Sequence, residues 1–228
     1  MFDLVIFDCD GVLIDSEVIS ARMLIAALAG HGVEIDTEYV ARNFLGRSYP
    51  VVFSQIREEF GVTLPERFEE EYRQRLIAAF RAELVPIPGV RDVILRLAVP
   101  YALATSSSPP RLAESLAITG LDDLFAGRTT TASEVTRGKP APDLFLHVAE
   151  KFQAVPARCL VIEDSLAGVQ AGLAAGMTVW RFTGGSHLAG LDLASSDAPA
   201  PQRQFASYSD FFHSDAQLMK KEPRHGKG

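Results

Sequence analysis

Apolar residues run unbroken from Leu4 to Phe7 and stop at the polar turn Asp8-Cys9-Asp10-Gly11. A strand that is apolar at every position is covered on both faces, so this run predicts a buried strand of an α/β sheet. From about Ser16 to about Glu83 the period changes, and no convincing strand occurs. Helical spacing over residues 18–28, 37–44, 50–60 and 65–80 predicts four helices there. In the last of them Phe68, Tyr72, Leu76 and Phe80 fall four apart on one face and read as a packed core. Such helices either cover the main sheet or form a bundle of their own. Their number without an intervening strand favours a separate helical insertion.

Pro86, Pro88 and Gly89 then punctuate the chain. Beyond them the pattern alternates. Helices are predicted over 90–97, 109–118, 143–152 and 166–175, and strands over 101–104, 125–129, 159–162 and 178–182. That alternation predicts a Rossmann-like, mostly parallel sheet with helices on both faces. Residues 184–204 read as a loop with one short helix, and 205–212 as an edge strand and the start of a helix. The polar residues 220–228 read as disordered. The resulting division places an α/β core at residues 1–15 and 85–215, a helical insertion at 16–84 and a disordered tail at 216–228.

Composition narrows the class. Hydrophobic residues make up 47% and charged residues 22% of the 228, which is globular rather than disordered. Lys and Arg number 22 against 29 Asp and Glu, a net charge of −7. Nucleic-acid binding is driven by neutralising phosphates, so this balance argues against a nucleic-acid partner. A small phosphorylated substrate needs only a few local cations and remains compatible. Cys9 and Cys159 both lie in apolar stretches and read as buried thiols rather than a disulfide framework. No N-terminal signal pattern is seen, and no stretch nears the roughly 20 apolar residues that cross a bilayer. The expectation is a soluble cytoplasmic protein with no membrane partner, a monomer or weak homodimer.

Polar residues gather where the predicted strands end, which is where open α/β sheets place their sites. Asp8 and Asp10 follow the first strand, Thr105 and Ser106 the second, and Glu163 and Asp164 the strand at 159–162. Lys139 lies in a Gly-Lys-Pro loop ahead of a helix. Carboxylates converging on one point repel each other unless a hard cation such as Mg²⁺ joins them. An Asp carboxylate is a competent covalent nucleophile for phosphoryl transfer. A second Asp two residues on can protonate the leaving oxygen and later activate water. Thr105 can hold a phosphoryl oxygen, and Lys139 can neutralise charge on nucleophile and phosphoryl group. None of the histidines has zinc-ligand spacing. Gly168, Gly172 and Gly176 recur every fourth position and predict a helix drawn close to the sheet.

The segment 7–16, Phe-Asp-Cys-Asp-Gly-Val-Leu-Ile-Asp-Ser, resembles the first motif of the haloacid dehalogenase-like hydrolases. Thr105 after an apolar strand resembles the second, and Lys139 in Gly-Lys-Pro-Ala-Pro-Asp the third. Glu163-Asp164-Ser165, followed by Ala167-Gly168 and Ala171-Gly172, resembles the fourth. Their order matches the family, and the likeness is closest to the phosphatase and β-phosphoglucomutase branch, which carries a helical cap after the first motif. The resemblance implies Asp8 as nucleophile and Asp10 as general acid/base. It implies a Mg²⁺ site from Asp8, the Asp10 carbonyl, Glu163 and Asp164, with phosphate contacts at Gly11 and Ser106.

Two positions separate hydrolysis from mutase chemistry. Where the mutase carries a cap His, this chain has Ser20, and the mutase's cap Arg position after the Gly-x-Ser turn holds Tyr49. Both departures favour transfer to water, with Arg47 as a candidate substrate contact from the cap. β-Phosphoglucomutase-like transfer between sugar hydroxyls is the alternative. Dehalogenation has no use for a metal, and the intact Asp8/Asp10 and Glu163/Asp164 pairs argue against it. The Asp-Cys-Asp-Gly opening with Ser-Glu-Val-Ile after it resembles a bacterial subgroup acting on sugar phosphates and 6-phosphogluconate. Phosphoglycolate is a second candidate substrate. A small anionic metabolite suits Arg22, Arg42 or Arg47.

Overall fold

The first strand, β1 (Leu4–Phe7), has no exposed side chain. Val5 and Phe7 point into one hydrophobic cluster, Leu4 and Ile6 into another, so the strand divides the core between the two faces of the sheet. That is why the sequence is apolar at every position there. The computed structural model describes residues 1–189, 200–213 and 215–220.

Four helices follow: α1 (Glu17–Ala29), α2 (Thr37–Asn43), α3 (Tyr49–Phe60) and α4 (Phe68–Glu83). Asp36 caps α2 by accepting the Tyr39 amide, and Gly61 ends α3 in the left-handed conformation. Phe68, Tyr72, Leu76 and Phe80 are all buried, and α4 packs against α1. Rings interlock around them, with Tyr49 edge-on to Tyr72 at 5.2 Å and Phe53 edge-on to Phe68 at 5.4 Å.

The chain then alternates through α5 (Val90–Arg96), β2 (Tyr101–Thr105), α6 (Pro109–Thr119), α7 (Asp122–Phe125) and β3 (Thr129–Thr131). It continues with α8 (Asp143–Lys151), β4 (Cys159–Glu163), α9 (Leu166–Ala174), β5 (Thr178–Phe182) and β6 (Arg203–Phe205). The six strands lie in the order β3-β2-β1-β4-β5-β6, every neighbouring pair parallel. This is the Rossmann-like parallel core expected, with β1 at the point where the winding reverses. Gly172 lets α9 approach the sheet: a Cβ there would lie 2.7 Å from Val179 Cγ2.

Several elements differ from expectation. The strand expected at 125–129 is displaced: Phe125 ends a helical turn and the strand is Thr129–Thr131. Phe125 is an edge-on partner of Tyr101 (5.6 Å), so its apolar character serves helix packing. The three threonines supply β-branched character without apolarity, and Thr130 and Thr131 are buried. At the other edge, β6 begins at Arg203, inside the expected loop, and Phe205 ends rather than starts it. The chain next forms a 3₁₀ helix over Tyr208–His213, which seals that end with aromatic side chains. Residues 216–220, expected in a disordered tail, are folded. Ala216–Leu218 is a 3₁₀ turn, Leu218 is buried and its carbonyl accepts the Ala98 amide. Residues 221–228, the rest of that expectation, and 190–199 of the expected loop lie outside the described residues. Among the described residues no helix is long and apolar enough to cross a membrane.

Leu76 has no solvent exposure at the centre of the helical insertion. Leu76→Ala is expected to cost about 2–5 kcal/mol. Urea unfolding followed by circular dichroism should show a lower midpoint at unchanged slope.

Candidate active site

Strand register assembles the site. Phe7 pairs with Leu103 on one side and Ile162 on the other. Asp8 and Glu163 are each the next residue along, and Thr105 lies two beyond Leu103. The three side chains therefore leave the sheet at one edge, with Asp8 fixed by its amide donating to the Ile162 carbonyl at 2.9 Å.

Lys139 reaches into this edge from its loop with a fully buried side chain. Its Nζ lies 2.5 Å from Asp8 Oδ1 and 2.6 Å from Glu163 Oε1, and donates to the Ala104 carbonyl at 3.3 Å. Burial alone would lower the lysine's pKa, but the two carboxylates outweigh it and hold the ammonium charged. Burial also pushes the Asp8 carboxyl well above its ordinary value. Lys139 opposes that shift, while Glu163, Asp164 and Asp10 reinforce it.

Asp8, Glu163 and Asp164 each offer a ligand oxygen, and these atoms all lie within 4.8 Å of one another. The residues present suit a hard divalent cation. Asp164 Oδ2 is buried without a hydrogen-bond partner. His187 Nε2 lies 2.8 Å from it and forms an ion pair with it when protonated. Gly11 has φ +73°, and a Cβ there would overlap Asp164 Oδ2, so the backbone must stay bare beside that oxygen. Glu163 is more committed than its neighbours: Lys139 occupies Oε1, and the Ser165 amide and hydroxyl both donate to Oε2 at 3.0 Å. Ser165 in turn caps α9 by accepting the Gly168 amide. A Cβ on Gly168 would overlap the Glu163 carboxylate, which explains the second small residue in that helix.

The Asp10 carboxylate belongs to a different group. Its Oδ1 accepts from Ser16 at 2.6 Å and Arg111 at 2.7 Å, and its Oδ2 accepts from Ser107 at 2.6 Å. Burial would raise its pKa, but Arg111 and the two serine hydroxyls carry it below the usual carboxylate value. Thr105 is buried, and its Oγ1 accepts the Ser107 amide at 3.0 Å. Ser106 Oγ donates to the Gly46 carbonyl at 2.8 Å, joining the core to the helical insertion. Asp8, Asp10, Thr105, Ser106 and Arg47 all line one cavity between the two parts, which leaves about 60 Å³ for the centres of water-sized molecules.

Besides the Ser107 hydroxyl on Asp10, sequence reasoning missed Arg111, Glu17 and His187. Arg111 sits in the first turn of α6, six residues after Thr105; the predicted helix start at Pro109 was the available signal. Glu17, in the first turn of α1, lines the same cavity. His187, read as isolated, arrives on the loop after β5, and spacing carries no signal for it.

Similarity to known proteins agrees with the geometry. A profile of the haloacid dehalogenase-like hydrolases matches residues 2–176. The chain is 30% identical over 184 residues to a 6-phosphogluconate phosphatase of Escherichia coli K12, covering 80% of this chain and 83% of that one. A haloacid dehalogenase-like protein of unknown function from Agrobacterium tumefaciens superposes with a TM-score of 0.76 at 32% identity, over 96% of this chain and 99% of that one. A haloacid dehalogenase family hydrolase from Deinococcus radiodurans, with bound phosphate and sodium, gives 0.68 at 30% identity, over 96% and 98%.

The acidic surroundings give Glu17 a measurable signature. Burial, with Asp10 nearby, pushes its carboxyl up from 4.5 to about 8. The native state then holds a proton that the unfolded chain has lost between those values, so this group's contribution to stability falls as pH rises through the window. Without added metal, Glu17→Gln should flatten the stability profile between pH 5 and 8 and be the more stable protein at pH 8. Thermal melts of both proteins across that range measure it; parallel profiles would show that Glu17 ionises normally.

Proposed function

The chain belongs to the haloacid dehalogenase-like hydrolases, and from that membership we propose that it hydrolyses phosphomonoesters of small metabolites through a phosphoaspartyl intermediate on Asp8. The observation that carries the reading is the buried Asp8–Lys139–Glu163 arrangement beside Asp164, with one ligand oxygen from each of the three acids within 4.8 Å of the others. It offers an anionic nucleophile, a fixed cation and a place for a second cation at one edge of the sheet.

Asp8 attacks phosphorus in line with the departing oxygen, and its neighbour Lys139 steadies the charge that accumulates there. Thr105, the Ser106 region and the Gly11 turn hold the phosphoryl oxygens. Asp10 gives the leaving oxygen its proton and afterwards draws a proton from the water that cleaves the acyl phosphate. Asp8 and Asp164, with the Asp10 carbonyl and Glu163 beside them, would hold Mg²⁺. When bound, the ion offsets the repulsion between an anionic ester and an anionic carboxylate. Closure of the helical insertion over the cavity keeps bulk water from the first step.

A sugar phosphate or phosphogluconate is the proposed substrate class. The Escherichia coli relative's name supports it, as do the cations Arg47 and Arg111 lining the cavity. Ser20 occupies the position of the mutase's cap His, and its hydroxyl accepts from Arg111 at 3.1 Å, which supports transfer to water over transfer between sugar hydroxyls.

Asp8→Asn is expected to lower kcat toward p-nitrophenyl phosphate with Mg²⁺ by about three orders of magnitude or more, with an unchanged circular dichroism spectrum. Turnover near the parent value would remove Asp8 from the nucleophile's role. Excess EDTA should stop the parent enzyme and added Mg²⁺ restore it; a rate indifferent to both would remove the metal from the reaction.

A further inference from the structure

We infer that Arg111 reads a carboxylate carried on the same small molecule as the phosphoryl ester. This rests on the phosphohydrolase reading and deepens it. Arg111 belongs to the core helix α6, yet its guanidinium, with the side chain only 8% exposed, is wedged against three helices of the insertion. It donates to Ser20 Oγ of α1 and, at 2.8 Å, to the Tyr49 hydroxyl of α3, and it lies over the Phe80 ring of α4 at 5.4 Å. Arg111 lines the same cavity as Asp8 and Thr105.

The acceptor it now holds is a carboxylate, Asp10. A guanidinium fork flanked by hydroxyl groups is the chemistry with which proteins bind carboxylates. Its buried Nε lacks any hydrogen-bond partner, so the present set of contacts leaves one donor unsatisfied. The cavity leaves about 60 Å³ for the centres of water-sized molecules, so a bound substrate lies against the side chains that line it, Arg111 and Asp10 among them.

Asp10 shows which of these contacts matters. Three donors occupy its two oxygens, and Arg111 is the charged one. To reach a leaving oxygen, Asp10 must give up one of them. Drawing Arg111 off with a neutral polyol leaves the buried guanidinium without a counter-charge, which is strongly unfavourable. A substrate carboxylate replaces the acceptor Arg111 loses and frees Asp10 in the same exchange. Sites that satisfy a buried charge with substrate reject the analogue lacking that group far more sharply than apolar pockets do.

The experiment compares two matched pairs of substrates with Mg²⁺. They are 6-phosphogluconate against glucitol 6-phosphate, and 3-phosphoglycerate against glycerol 3-phosphate, each pair differing only by carboxylate or hydroxymethyl. The parent enzyme should favour the carboxylate in at least one pair by about tenfold or more in kcat/KM. Arg111→Gln should bring that ratio close to one, and Arg111→Lys should keep part of it. A parent ratio within about twofold in both pairs overturns the inference, as does an undiminished ratio in Arg111→Gln. If the Gln variant does not fold, the Lys variant and the parent ratio decide. A parent enzyme inactive on all four esters and on p-nitrophenyl phosphate overturns the hydrolase reading itself. Activity without carboxylate preference overturns only the role of Arg111.

Discussion

A lysine whose side chain has no solvent exposure, held between two carboxylates at the ends of neighbouring strands, is the constraint from which the rest of the site follows. Asp8 follows β1 and Glu163 ends β4, and without a cation between them two adjacent parallel strands would finish in repelling charges. Lys139 also bonds to the Ala104 carbonyl, so β1, β2 and β4 are tied together at one edge by a single side chain. None of these groups is stable there alone, because an unpaired buried charge costs several kcal/mol. Together they leave Asp8 charge-paired but raised in pKa, next to an Asp164 oxygen that meets His187 at 2.8 Å. The stability of the strand ends and the chemistry of the site thus depend on the same charges.

The helical insertion acts on a second cluster. Ser106 to Gly46, Arg111 to Ser20 and Tyr49, and Arg81 to Glu114 all join core to insertion, and Ser106, Gly46, Arg111, Ser20 and Tyr49 also line the cavity between the two. The two acidic neighbours of the first turn therefore have opposite surroundings. Asp8 faces the lysine and the other acids, and burial raises its pKa; Asp10 faces an arginine and two hydroxyls that lower it. Two carboxylates separated by a single residue are differentiated by which part of the molecule each side chain turns toward.

Much of this was legible along the chain, and the failures have physical causes. The continuous apolar run of β1 and the four-residue stripe of α4 are signals that a buried strand and an amphipathic helix cannot avoid. Asp8, Lys139, Glu163 and Asp164 were recognisable because they follow apolar strands or sit between Gly and Pro. β3 was misplaced because threonine satisfies a strand through its branched Cβ rather than through apolarity. Arg111 and His187 carried no comparable mark, since an arginine in a first helical turn and a histidine in a glycine-serine loop are ordinary surface residues in most chains.

Local pattern alone determined the strand–helix alternation, the helical insertion after β1 and the acidic turn at the first strand's end, because each depends on a few neighbouring residues. It left open which distant groups would share a charge. That Lys139 pairs with Asp8 across 131 positions, and Arg111 with Asp10 across 101, follows from the parallel register of β1, β2 and β4 and from the packing of the insertion on α6. Electrostatics in a buried site depends on separations of a few ångströms, and only the folded arrangement of the strands sets those.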